Sequence, residues 1–260
     1  MRNYRLTLSY DGTNFKGWQF QPGKRTVQEE LENGIATITK SRVLCNSSGR
    51  TDAGVHALAQ VVNFYCNSRM DGLAMMRALN TLLPQDIRII DAIITHQAFD
   101  ASKDALRKRY RYVICDGAVL SPFMRNYVTQ VKFPLDVSKM NQAANLLLGR
   151  HDFHSFESDW PNRMSSIRSI YYIHVNRVHE YLWLEVEANG FLYNMVRAIA
   201  GTLINIGRGY WPPTKMKEIL QAEDRTRAGP TAPPQGLYLV HVTYSNADND
   251  PERFFALSKL

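Results

Sequence analysis

The chain has 260 residues, of which 45% are hydrophobic and 21% charged, and it carries a formal net charge of +7. The length suits two domains of about 100–150 residues. The composition is that of an ordinary globular protein, and no apolar run is long enough to span a bilayer. The cationic excess favours an anionic partner, nucleic acid first.

Met1-Arg2-Asn3-Tyr4-Arg5 leads into alternating residues rather than an apolar core, so no secretory leader is expected. The alternation from Tyr4 to Tyr10 ends at Asp11-Gly12 and predicts a half-buried strand followed by a turn. Thr26 and Glu29 have capping-box spacing, and Val27, Leu31, Ile35 and Ile38 then share a helical face. Strands are predicted over Val43–Ser48 and Gln60–Tyr65, separated by a polar, glycine-containing stretch. Leu73, Met76, Leu79 and Leu83 mark a helix stopping before Pro84, and Ile87–Ile94 a further strand. The order is β-α-β-β-α-β.

The same order follows. Arg109–Ile114 reads as a strand, and Met140, Ala143, Ala144, Leu147 and Leu148 as a helix ending at Gly149. Ile167–Arg177 and Tyr181–Ala188 read as strands, Leu192–Ile206 as a helix, Lys215–Leu220 as a short inserted helix, and Leu237–Tyr244 as the last strand. The expected fold class is therefore α/β (α+β): two ferredoxin-like βαββαβ halves, with mixed or antiparallel sheets flanked by helices. The halves are placed at 1–103 and 104–245, with a tail over 246–260. Three dispersed cysteines, Cys45, Cys66 and Cys115, form no CxxC pair and suit a reducing, cytoplasmic setting.

Three stretches could carry chemistry. Gly49-Arg50-Thr51-Asp52-Ala53-Gly54-Val55-His56-Ala57 sets one carboxylate and one guanidinium between two glycines, which suits either a plain turn or a loop presenting Asp52 as nucleophile or base. It lacks phosphate-loop spacing. Lys103, Arg107, Lys108, Arg109 and Arg111 cluster around Tyr110 and Tyr112, fitting phosphate neutralisation with base stacking, or else a strand with tyrosines inside and arginines in solvent. Arg197 on an apolar helix must snorkel or pair with a carboxylate. His151 and His154 have no nearby partners to complete a metal site, and Glu185 and Glu187 are expected on the outer face of a strand.

The stretch Gly49–Ala57 resembles the signature of the tRNA pseudouridine synthase A family. The likeness extends over Tyr10-Asp11-Gly12-Thr13 with Phe15, Gly17 and Trp18, Arg109-Tyr110-Arg111-Tyr112, Asp152-Phe153 with Ser155-Phe156, Phe191 through Arg197, and Gly236-Leu237-Tyr238-Leu239. It implies the pseudouridine synthase fold, a cofactor-free, metal-free homodimer with basic clefts, and uridine isomerisation in the tRNA anticodon arm at positions 38, 39 and 40. By the same resemblance Asp52 is the catalytic aspartate, Arg50 occupies the space of the flipped nucleotide, and Tyr110 stacks on the target base. Arg197 pairs with the catalytic carboxylate, and Leu237 lines the pocket. Family members often carry an arginine shortly after the residue matching Phe99, where this chain has Asp100-Ala101-Ser102. The expected consequence is a lost phosphate contact at Ser102, with the chemistry intact. A non-catalytic RNA-binding module and a hydrolase using Asp52 and Arg50 are the competing readings.

Overall fold

The computed structural model describes residues 1–158 and 165–245, so the expected tail lies outside the described residues. Two compact units form, Met1–Leu106 with the strand from Tyr238 onward, and Arg107–Leu237. The first contains β1 (Arg2–Tyr10), α1 (Val27–Thr39), β2 (Asn46–Ser47), β3 (His56–Cys66), α2 (Gly72–Leu82) and β4 (Ile87–Thr95). The second contains β5 (Arg107–Cys115), β6 (Thr129–Gln130), α3 (Val137–Ala144), β7 (Gly149–Asp152), β8 (Ile167–Val178), β9 (Tyr181–Ala188), α4 (Met195–Gly207) and α5 (Lys215–Ala222). β10 (Leu237–Thr243) follows.

In the first unit β1 runs antiparallel to both β3 and β4, and β2 adds antiparallel to β3 through Asn46↔Asn63. This 4-1-3-2 arrangement is that of a ferredoxin-like βαββαβ sheet. β1 buries Tyr4, Leu6, Leu8 and Tyr10 along one face, as its alternation requires. α1 starts where the capping box places it, with the Thr26 side chain accepting from the Glu29 amide. The buried face of α2 is Met75 and Leu79, while Leu73, expected inward, is half exposed. β2 is two residues long where six were predicted; Asn46 and Ser47 are the residues that pair in register with β3.

The sequence reading completes the second half with the last strand. The structure adds a pairing in the first unit, where Tyr238 and Leu239 run parallel to His56 and Ala57 of β3. Within the second unit the strands run β5-β9-β8-β7, antiparallel throughout, with β6 parallel to the end of β5. α4 is apolar nearly all round and buried accordingly, from Met195 to Gly207. β6 and β7 escaped the sequence reading; two and four residues are too few to show a period.

The turn after β4 is tied to the first sheet by a buried amide pair. Asn63 Oδ1 accepts from the Ala101 amide at 2.9 Å, and its Nδ2 donates to Asn3 Oδ1 and to the Phe99 carbonyl, both at 3.1 Å. Asn3 Nδ2 donates to the same Phe99 carbonyl at 2.9 Å. Asn63→Leu would leave the Ala101 amide unsatisfied in a dry site, at a cost of about 1–3 kcal/mol. The urea midpoint of the variant should fall accordingly; an unchanged midpoint would show that the pair does not anchor the turn.

Candidate active site

The loop carrying Asp52 lies against the segment that follows β1. Gly12 approaches so closely that a Cβ there would stand 2.0 Å from the Val55 carbonyl oxygen. Gly17, at φ +91°, would place one 2.7 Å from the Thr51 oxygen and 3.2 Å from the Asp52 carbonyl carbon. Backbone bonds join the two segments: Trp18 N–H donates to Thr51 O at 3.0 Å and Gly54 N–H to Phe15 O at 3.4 Å. Inside the loop Val55 N–H donates to Asp52 O at 3.1 Å, and Gly54 turns the chain at φ +78°. Phe15 and Trp18, both buried, seal the underside.

His56 ends the loop with its ring buried and stacked on Tyr238, centroids 4.8 Å apart. Its Nδ1 accepts from the Gly12 amide at 3.0 Å. The Asp11 carboxylate stands 3.2 Å from the same nitrogen and accepts from the Thr13 amide at 2.9 Å. The Gly12 amide and the Asp11 carboxylate thus converge on one ring nitrogen. Asp52 itself is half-buried, and Arg50 is exposed without a hydrogen bond or ion pair to the described residues.

In the second unit Tyr110 is buried on β5, edge-on to Phe191 with centroids 5.0 Å apart. Arg197, in the first turn of α4, donates through Nε to the Ala232 carbonyl at 2.8 Å and through Nη1 to Asn194 Oδ1 at 2.7 Å. Asn194 takes a left-handed conformation at φ +62° to start the helix, and its Nδ2 donates to Ser158 Oγ at 2.9 Å. The Ala232 amide donates back to Arg197 O at 3.1 Å. Further along the same segment, the Pro233 carbonyl accepts from the Tyr112 hydroxyl at 2.7 Å. Burial raises the Tyr112 phenol, which stays protonated. Leu237 is buried at the start of β10, after the turn Pro234–Gly236. Tyr110, Arg197 and Leu237 thus all sit on elements braced within this unit.

The expected cationic cluster divides. Arg109 and Arg111 face Glu187 and Glu185 across β5 and β9 and pair with them at 2.9 and 2.8 Å. Arg107 reaches Glu187 at 3.4 Å. The guanidinium groups also lie over aromatic rings, Arg107 over Tyr171, Arg109 over Tyr172 and Arg111 over Trp183, at 4.5, 5.3 and 3.8 Å. A bulge between Ile170 and Tyr172 lets the consecutive Tyr171 and Tyr172 both stay out of the core and serve neighbouring arginines. This is the arrangement with tyrosines 110 and 112 inside and arginines outside. Burial, and then the like charge of Arg168, lowers the Lys108 ammonium. Lys103 stays 84% exposed, 3.9 Å from Asp100. Ser102, also exposed, donates its amide to Asp100 Oδ1 at 2.9 Å, so Asp100 shapes the turn where an arginine was expected nearby.

Comparison with known proteins points one way. A family model described as tRNA pseudouridine synthase matches residues 7–101 and 143–245. Among curated proteins, the tRNA pseudouridine synthase A of Thermoanaerobacter sp. (strain X514) is 43% identical over 244 residues, 94% of this chain and 100% of that one. That of Limosilactobacillus reuteri (strain DSM 20016) is 43% identical over 253 residues, 95% and 99% of the two chains. That of Syntrophomonas wolfei is 43% identical over 244 residues, 94% and 98%.

Gly17 and Gly23 separate two effects. Both have positive φ, +91° and +68°, but a Cβ at Gly23 meets nothing within 4 Å. Gly23→Ala should therefore cost only backbone strain, at the low end of about 1–3 kcal/mol. Gly17→Ala adds the clash with Thr51, so it should lower the melting temperature further and speed amide exchange at Gly54 and Val55. Equal effects of the two substitutions would remove the close approach as a constraint.

Proposed function

Because the chain belongs to the tRNA pseudouridine synthase family, we propose that it isomerises uridine in the anticodon arm of tRNA, at positions 38, 39 and 40, with Asp52 as nucleophile. The protein is an isomerase acting on tRNA. The reaction breaks the C1′–N1 bond, turns the uracil and joins C5 to C1′; N1 gains a proton and C5 loses one. It requires an anionic oxygen at the sugar–base junction while the bond is open. The single observation that carries Asp52 into that role is that it is the lone carboxylate of Gly49–Ala57, on a loop braced on both sides by backbone contacts.

The target base must first leave its stack, at a cost of a few kcal/mol. Arg50, exposed beside Asp52, is proposed to fill the vacated space. Tyr110 supports the detached base. Its ring is already immobilised against Phe191, so little side-chain freedom is lost on stacking. Its hydroxyl is proposed to take part in the late proton removal from C5. Arg197 is proposed to pair with the Asp52 carboxylate during reaction, keeping it ionised. Leu237 supplies an apolar wall. A homodimer working in the cytoplasm completes the proposal. Among the described residues no helix is long and apolar enough to cross a membrane.

Incubating purified protein with unmodified tRNA and mapping pseudouridine by carbodiimide-blocked primer extension tests the assignment. Asp52→Ala should abolish product while leaving tRNA affinity nearly intact, since affinity comes from phosphate contacts away from the carboxylate. Product from that variant at even a percent-level rate would move the nucleophile elsewhere.

The proposed phosphate contacts divide with the cations. Removing one phosphate-contacting lysine lowers the salt slope of binding by about 1. Lys103→Ala should do so. Arg111→Ala should instead lower stability through the lost Glu185 and Trp183 contacts and leave the slope unchanged. A slope change for Arg111 and none for Lys103 would reverse the assignment.

A further inference from the structure

Beneath the Asp52 loop lies a row of buried polar side chains to which no role in the reaction has been given. Tyr10, at the end of β1, is 5% exposed; Ser48 and Gln60 are 0% exposed, and Thr51 is 7% exposed. Gln60 lies opposite Leu8, and Tyr10 opposite Ala57. Two steps on β1 thus match three on β3, so β3 carries an extra residue where it leaves the loop. The irregularity sets Tyr10 and Gln60 beside each other.

Their hydrogen bonds converge on the loop. The Ser48 hydroxyl donates to Gln60 Oε1, and Gln60 Nε2 donates to the Gly49 carbonyl at 2.7 Å. The Tyr10 hydroxyl lies 2.8 Å from Thr51 Oγ1. Residues 48, 49 and 51 are therefore each fixed by a directional bond from this row. The Thr51 carbonyl is fixed separately by Trp18. Phenylalanine and leucine would fill the volumes of Tyr10 and Gln60 without the desolvation cost of buried polar groups. What the polar pair adds is direction, because a satisfied buried network holds its members in one arrangement.

We propose that Tyr10, Gln60 and Thr51 are positioning residues for Asp52, a relay that aims the carboxylate by fixing the chain just before it. The proposal rests on the assignment of Asp52 as nucleophile. None of the three touches the substrate. Their effect is on where the reactive oxygen stands, and a misplacement of about 1 Å can cost about a hundredfold in rate.

The test uses the full-length protein and unmodified tRNA, with kcat, KM and tRNA Kd measured for Tyr10→Phe, Thr51→Val, Thr51→Ser and the Tyr10→Phe/Thr51→Val double variant. Tyr10→Phe and Thr51→Val should each lower kcat by about ten- to hundredfold while KM and Kd stay within about twofold. The double variant should lose no more than the worse single, because both remove one bond. Thr51→Ser, which keeps the oxygen and drops the methyl, should restore most of kcat. Three results would overturn the proposal: kcat within about twofold of wild type in both folded single variants, multiplicative losses in the double, or Thr51→Ser as impaired as Thr51→Val. If Tyr10→Phe does not fold, the serine–valine contrast at position 51 decides alone. Failure of the nucleophile assignment reads out separately, as turnover by Asp52→Ala.

Discussion

The first unit is organised around one close approach, the passage of the chain after β1 against the loop before β3. Two glycines make it possible, and the bonds of Trp18 and Gly54 make it specific. The inner segment is in turn held from behind. Lys16 N–H donates to Arg25 O at 2.9 Å, Val27 N–H to Gly17 O at 3.3 Å and Gln28 N–H to Trp18 O at 3.0 Å, so the start of α1 is laid on the same segment. Arg25 then clamps Asp86 through both Nη atoms at 2.7 and 2.9 Å, reaches Glu30 at 2.8 Å, and covers the ring of Phe15. The position of Asp52 is thus referred through successive layers to the sheet and the helix.

How much of this could be read beforehand depends on whether the cause is local. The α1 capping box, the alternation in β1 and the apolar stripe of α4 are each contained in a few neighbouring residues, and the elements form where those signals place them. The same holds for the Asp52 loop as a loop. What escaped depends on distant pairing. Gly12 and Gly17 stand in the quoted motif without a visible function, since their partners are about forty residues on. Gln60 reads as an ordinary strand residue until the shifted register of β3 sets it beside Tyr10. The parallel pairing of Tyr238 with His56 has no sequence signal at all; an apolar strand looks the same whichever partner it takes.

The cations after β4 show the same limit in electrostatic form. Their density in sequence suggests a field, yet the field at a surface depends on what lies across the sheet. Glu187 stands opposite Arg109 and Glu185 opposite Arg111, and Tyr172 and His174 continue those rows on β8. A guanidinium between a carboxylate and an aromatic ring is well placed but largely cancelled at a distance. Such a ladder stiffens the outer face of three strands, including the one that carries Tyr110 and Tyr112 on its buried side.

Arg197 is oriented by groups of its own unit. The sequence offered it two fates, snorkelling to solvent or pairing with a carboxylate. Two of the bonds that orient it go to a backbone carbonyl and a side-chain amide oxygen. Two such acceptors fix the plane of the guanidinium, as Glu185 and Glu187 fix those of Arg111 and Arg109. Asn194 has to adopt a left-handed backbone to bring its amide to Arg197, a conformation that costs about 1 kcal/mol or more for a residue with a Cβ. The fold accepts that strain at the first turn of α4, where the helix dipole adds to the positive potential. A guanidinium whose plane is fixed in this way presents its other N–H groups in one direction.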